Sequence, residues 1–340
     1  MSKLMTAKTI EEAVKLARGT RMFNESNASR ENLFKRITYK TSTGGSALLS
    51  EYGFLRYQGI MPLNLPDGIR IVVLPDIHAP AHNKQWLWAI EQFLAEYRPH
   101  ILIFIGDSTD FFFLSRWPKP PRQGYNAMLE LEESRELHDR LIKVSGCLWA
   151  FETEGNHENR TNSFLSAVAP QISTLVDMDS QEPIMNYSKL LGYKGDGSEK
   201  ITFVTDERGF GGYGGCIILN DQIRLIHGLP LRPRAGGSPR VFTDQLGQSV
   251  MHGHSHRFGE NHRETMTEVL SAQEIGFLAN PNRAEMSYHN LLSNGHPGFA
   301  AGEVIGGTVN LELIPIIQAL HANRLRYSFW FQDREYVTED

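Results

Sequence analysis

The chain has 340 residues, 41% of them hydrophobic and 21% charged, with a formal net charge of −5 and only two cysteines, Cys147 and Cys216. This composition excludes a disordered or collagen-like chain, and two cysteines are too few for a disulfide framework or a thiolate metal site. No run reaches the roughly 18 apolar residues of a membrane helix, and the opening "MSKLMTAKTIEEAVKLARG" lacks the apolar core of a signal peptide. The expectation is a cytoplasmic protein in a reducing compartment, with no membrane partner.

Charge is unevenly spread, with ten Lys/Arg against five Asp/Glu through residue 60 and 24 against 34 beyond it. Thr9 to about Arg18 reads as an amphipathic helix, and Ser29 in "SRENLFKRI" as the N-cap of another. Residues 1–65 are therefore expected to form a small, basic, helical N-terminal segment. Contact with nucleic acid through a helix-turn-helix-like module and a plain solvated face are both open readings of it. Residues 66–340 are expected to form one domain, with a motif core at 69–260 and an extension at 261–340.

After the turn "LPDGIR" the chain changes character. "IRIVVLP" (69–75) and "HILIFIG" (100–106) are continuous apolar runs rich in β-branched residues, the pattern of strands buried on both faces, with a helix predicted between them from Lys84 to Glu96. A charged helix from Ala127 to Val144 leads to a third such strand in "CLWAFETEG", and a further helix is predicted over 159–169. Shorter strands follow in "KITFV", "GCIILN", "IRLIHG" and "SVMHG", then in "GTVNLELIPI" and "RLRYSFWFQ". Strand, helix, strand with buried strands implies an α/β fold with a parallel or mixed sheet.

Each of five predicted strands ends in a polar cluster, where open α/β sheets place their ligands. The clusters are Asp76 and His78, Asp107 and Asp110, Asn156 with His157 and Glu158, then His227, and finally His254 and His256 in "MHGHSH". Carboxylate, amide and imidazole donors without thiolate suit hard or borderline divalent metals. The set exceeds the needs of one ion. A carboxylate bridging two cations about 3.5–4 Å apart would use the surplus, clamping a phosphate and activating a water. Hydrolysis of phosphate esters is the matching reaction.

In order and spacing these residues resemble the calcineurin-like metallophosphoesterases, whose signature runs D-x-H, GD-x-x-D, GNH-E/D, H, GH-x-H. The resemblance implies a four-layer α/β/β/α sandwich of two mixed sheets flanked by helices, with two divalent metals at the strand ends. Manganese is the first expectation for them, with iron, zinc and nickel open. It further implies that Asp76, His78 and His256 hold one metal, that Asn156, His227 and His254 hold the other, and that Asp107 bridges them. His157 matches the family histidine that donates to the phosphate or leaving group, and Asp110 the carboxylate that orients it. Phe111 stands where protein serine/threonine phosphatases of the family carry an arginine, and Glu158 where the double-strand-break nucleases carry an aspartate. The pattern is closer to stand-alone phosphoesterases of bacteria and phages.

Five side chains are candidate substrate contacts: Arg160 in "GNHENR", Arg116 and Trp117 after the second motif, and Arg232 and Arg234 after His227. His252 reads as structural and His82 as a solvated loop residue. The leading expectation is a phosphodiesterase or nuclease with nucleic acid as a partner. A phosphomonoesterase acting on nucleotides, nucleic-acid ends or phosphoproteins is the alternative, and a non-catalytic scaffold the third.

Overall fold

The computed structural model describes residues 25–338, with the exception of 42, 52–55, 117–125, 180–182, 195–197, 206–214, 229–230, 233, 284–285, 287–294 and 322–323. The helix expected over Thr9–Arg18, Trp117 and most of the glycine-rich "RGFGGYGG" lie outside the described residues.

The first half of the described chain holds α1 (Asn27–Phe34), β1 (Thr38–Lys40), β2 (Ser46–Leu48), β3 (Arg56–Gln58), β4 (Ile60–Asn64), β5 (Arg70–Leu74), α2 (Lys84–Tyr97), β6 (Ile101–Phe104), α3 (Ala127–Ser145) and β7 (Trp149–Thr153). Then come α4 (Arg160–Val168), α5 (Pro170–Ser173), α6 (Tyr187–Leu190), β8 (Ile201–Thr205), β9 (Cys216–Leu219), β10 (Ile223–Ile226), α7 (Gly237–Leu246) and β11 (Ser249–His252). The last elements are β12 (Phe258–Glu264), β13 (Val269–Ile275), β14 (Gly298–Ile305), β15 (Thr308–Pro315), β16 (Ile317–His321), β17 (Arg324–Phe331) and β18 (Arg334–Val337).

One sheet runs β15-β14-β5-β6-β7-β8-β3 and the other β12-β13-β11-β10-β9-β4-β1-β2. In the first, β5 through β8 are parallel and β14 is antiparallel to β5; in the second, β10, β11 and β13 are parallel while β9 opposes β10. Both sheets are mixed. Between them lies an aliphatic core that includes Ile71, Val73, Ile103, Phe151, Leu225 and Met251. Alternation puts Val72, Leu74, Leu102 and Phe104 on the outer face of the first sheet, where α2 and α3 cover them. α7 covers the outer face of the second around Cys216, Ile226 and Val250. The result is the four-layer α/β/β/α sandwich.

The N-terminal segment differs from expectation. Its described part contributes one helix and four strands, of which β1, β2 and β4 complete the second sheet and β3 edges the first. These short strands have no periodic signal of their own and exist because β4 pairs with β9 and β3 with β8, far along the chain. Nor is Ser29 the N-cap of α1: the Ser26 side chain accepts from the Ser29 amide at 3.1 Å. The helix α7 was not expected either, because Gly237 and Pro239 read as loop; proline is tolerated in a first turn, where its missing N–H costs no helical bond. The C-terminal extension adds β14 and β15 to the first sheet, while β16, β17 and β18 form a small separate sheet whose Phe329, Phe331 and Tyr336 ring Phe93 of α2.

α1 is tied to the base of the first sheet by Arg30, a fully buried side chain whose guanidinium donates to the carbonyls of Arg98, Pro99 and Gly146. Burial, with Arg70 and Arg98 nearby, pushes its pKa down to about 10, so it stays charged at neutral pH. Arg30→Met is expected to leave the Pro99 and Gly146 carbonyls without this donor, Arg98 keeping its bond from Arg70, and to cost about 3 kcal/mol of unfolding free energy. Urea unfolding checks it, and a loss below about 0.5 kcal/mol, the range of ordinary surface substitutions, would contradict the assignment.

Candidate metal centre

All five polar clusters meet at one end of the sandwich. Asp76 and His78 follow β5, Asp107 and Asp110 follow β6, and Asn156 and His157 follow β7 in the first sheet; His227 follows β10 and His254 and His256 follow β11 in the second. Parallel strands in each sheet deliver their C-terminal loops to the same edge, so the centre forms where the two sheets' ends approach.

The loops are bent hard to do this. Asp76, His78, Asp107, His254 and His256 all have φ between 43° and 63°, and Phe111 has 48°. Non-glycine residues rarely adopt this left-handed conformation, which persists only where the surroundings enforce it and which concentrates at functional sites. Glu158 is one enforcer: its carboxylate accepts from the amides of Asp107, Thr109 and Gly155 at 3.0, 3.0 and 2.8 Å, binding the β6 loop to the β7 loop. Two glycines allow the approach. A Cβ at Gly155 would lie 2.2 Å from Asp107 Oδ1, and one at Gly253 would lie 2.7 Å from Asp76 Oδ2.

Asp107 sits in the middle. Its Oδ2 lies 3.2 Å from His227 Nε2, 3.7 Å from His157 Nε2 and 3.8 Å from His78 Nε2, while its Oδ1 accepts from the His157 amide at 2.9 Å. On one side, His256 Nε2 is 3.2 Å from Asp76 Oδ1 and 3.1 Å from His78 Nε2. On the other, Asn156 Oδ1 is 3.1 Å from His227 Nε2. Three groups of potential ligand atoms result: Asp76 with His78 and His256, His78 with Asp107 and His157, and Asp107 with His227 and His254. Asp107 and His78 are each shared by two groups.

The donors face the centre in a defined tautomer. His227 Nδ1 is 3.0 Å from the Ile105 carbonyl and His78 Nδ1 is 2.8 Å from Asp110 Oδ1. A carbonyl or carboxylate can only accept, so each Nδ1 carries a proton and each Nε2 is left to serve as a ligand, the usual arrangement around a metal. His157 Nδ1 likewise faces Asp110, at 2.9 Å from its Oδ1 and 2.7 Å from its carbonyl. Arg160 donates to His157 Nε2 at 2.9 Å and to the Asp110 carbonyl at 2.7 Å. A guanidinium has only donors, so Nε2 accepts and His157 carries its proton on Nδ1. The residues present thus fit divalent metal, and among the described residues Asp107 belongs to two of the groups that could hold it.

Without metal the charges are held in tension. Burial pushes Asp76 up to about 7, helped by the neighbouring Asp107 carboxylate. Burial alone would raise Asp107 too, but His157 and His227 hold it well below the carboxylate range. Burial opposes charge on His227, yet Asp107 brings it up to about 9, while burial and His227 push His254 down to about 3.

A pH dependence follows. Asp76 and His227 bind protons more tightly in the fold than at their ordinary values of 3.8 and 6.5. Their contribution to the metal-free fold is therefore present at low pH, and is lost as pH rises through about 7 for Asp76 and about 9 for His227. Metal needs the deprotonated ligands. The rise in thermal midpoint on adding manganese is thus expected to be larger at pH 8 than at pH 6, and an equal rise at both would contradict it.

The family profile for calcineurin-like phosphoesterases matches residues 69–258. The chain belongs to this family. Among its relatives are the Gene 54 proteins of Mycobacterium phages L5 and D29. The first is 25% identical over 272 residues and the second 24% over 265; each alignment covers 73% of this chain and 94% of the phage protein. Solved structures similar to this phosphoesterase-family chain include Vps29 of Chaetomium thermophilum, at 13% identity and TM-score 0.36, covering 80% of this chain and 98% of that one. Vacuolar Protein Sorting 29 of Cryptosporidium parvum is similar at 12% identity and TM-score 0.36, covering 80% and 100%.

Of the expected substrate contacts, Arg160 is placed at the centre. Arg116 is exposed beyond the 3-10 turn Phe112–Leu114, and Arg232 and Arg234 are exposed between β10 and α7. Arg257, next to His256, ties the latter segment in by donating to the Arg232 carbonyl. His82 is buried rather than solvated, at 8% exposure, and burial pushes it down to about 3. His252 is buried and lies outside the three ligand groups. Two contributors had no sequence signal: Phe277, stacked on His256 at 5.0 Å, and Glu130 of α3, which accepts from the Phe112 amide at 2.9 Å and pins the turn that follows Asp110.

Proposed function

We propose that the chain is a dinuclear metal-dependent phosphodiesterase acting on nucleic-acid-type diesters. The observation that carries this reading is the position of Asp107 Oδ2 among Nε2 atoms from both sheets, with a further histidine, His157, beside it and not needed to complete either ligand set. Asp76, His78 and His256 would hold one cation and Asn156, His227 and His254 the other, with Asp107 common to both. When bound, the two cations neutralise phosphate charge, activate water and stabilise the leaving oxygen.

The chain's own residues supply the rest. Asp110 fixes the His157 ring through Nδ1, so that Nε2 is aimed to pass a proton to the leaving oxygen. Arg160 occupies that Nε2 in the resting geometry. Its guanidinium turns to a phosphate oxygen when substrate enters, a planar donor fork suited to the task. The buried ligands exclude bulk water from one side, while Asn156, His254 and Arg160 are partly exposed and mark the open side.

Hydrolysis of bis(p-nitrophenyl) phosphate against p-nitrophenyl phosphate, by protein stripped of metal and refilled with manganese, tests the reading. Faster turnover of the diester supports it. A clear preference for the monoester replaces it with a phosphomonoesterase, and activity on neither with metal bound replaces it with a scaffold.

A further inference from the structure

We propose that the exposed side of α4 next to Arg160 is the seat for a planar aromatic group of the substrate, with Phe164 as its platform. The proposal rests on the phosphodiesterase reading and names the chemistry beside the scissile phosphate.

α4 rests on the body through Thr161 and Leu165, which are 6% and 7% exposed. Arg160 and Phe164, one turn apart and about 6 Å along the axis, lie on the side of α4 next to that packed face, and Val168 follows a turn later. Phe164 is 46% and Val168 66% exposed. Large apolar side chains left in water beside a polar centre are candidates for ligand contact.

The position of Phe164 says what binds. This side of α4 begins at the guanidinium on His157 Nε2. A ligand held by its phosphate at the centre therefore meets Phe164 one helical turn beyond Arg160, about the reach of a base or aryl group from the phosphate that carries it. The ledge formed by Phe164 thus serves one planar group beside the phosphate. Stacking on Phe164 accounts for an exposed ring next to a cation, and is tolerant of which planar group is presented.

Titration calorimetry with the manganese-loaded protein tests this without turnover, using thymidine 5′-phosphate and methyl phosphate as probes. Wild type is expected to bind the nucleotide about tenfold or more tighter than methyl phosphate. Phe164→Ala is expected to lose that difference and Phe164→Trp to keep it, with kcat on the diester within about twofold of wild type and KM raised in the alanine variant alone. Equal binding of the two probes by wild type, or a preference that survives in Phe164→Ala, overturns the proposal. So does sedimentation showing a wild-type dimer that Phe164→Ala dissociates without touching nucleotide binding, which would make the ledge a contact between copies. Absence of diester hydrolysis with the nucleotide preference intact would sink the phosphodiesterase reading and leave the platform standing.

Discussion

His157→Ala is expected to lower kcat for diester hydrolysis by about 10²- to 10⁴-fold, the usual worth of a positioned acid, while metal content stays at the wild-type level. The two effects separate because different parts of residue 157 serve them. Its backbone amide holds Asp107 Oδ1 at 2.9 Å, and an alanine keeps that bond. Its ring is fixed by Asp110 and lies beside Asp107 Oδ2, and an alanine removes it. Arg160 keeps its bonds to the carbonyls of Asp110 and Phe111, so the β6 loop stays tethered to α4. Metal analysis beside steady-state rates checks the split. Loss of metal in parallel with rate would make His157 a ligand, which its grouping with His78 and Asp107 allows on distance alone.

Asp107→Asn is expected to remove both metal and activity. The substitution exchanges an oxygen for a donor nitrogen among the Nε2 atoms of His227, His157 and His78, and it deletes the charge that raises His227. The Asp107 amide still donates to Glu158, so the loop is retained and a thermal midpoint near that of the metal-free wild type is expected. A variant with full metal content and full rate would show that no carboxylate is shared.

Two strands that build the centre, β5 and β6, were legible because each is buried on both faces and reads as an unbroken apolar run, "IRIVVLP" and "HILIFIG"; β7, β10 and β11 carry a polar residue or two but are still mainly apolar. The candidate ligands stood out because each lies one to four residues beyond a strand. What the sequence concealed depends on partners distant in the chain. β14, "GFAAGEVI", lies between β15 and β5 in the first sheet, yet its small residues carry no strand pattern of their own. β12 sits at the sheet edge with polar residues along it, and its pairing with β13 over seven residues is what makes it a strand. At the centre, the motif "GNHE" displayed Glu158, but its three backbone bonds appear only once β6 and β7 lie side by side. Phe277 supports His256 from a segment with no motif at all.

Manganese titration of the stripped protein, followed at once by metal analysis, electron paramagnetic resonance and diester hydrolysis, tests the central claim most directly. Two ions bound per chain, with the signal of an exchange-coupled pair and hydrolysis growing in with the second ion, is the predicted result. A single ion, or two ions without magnetic coupling, would contradict a centre built around a shared Asp107.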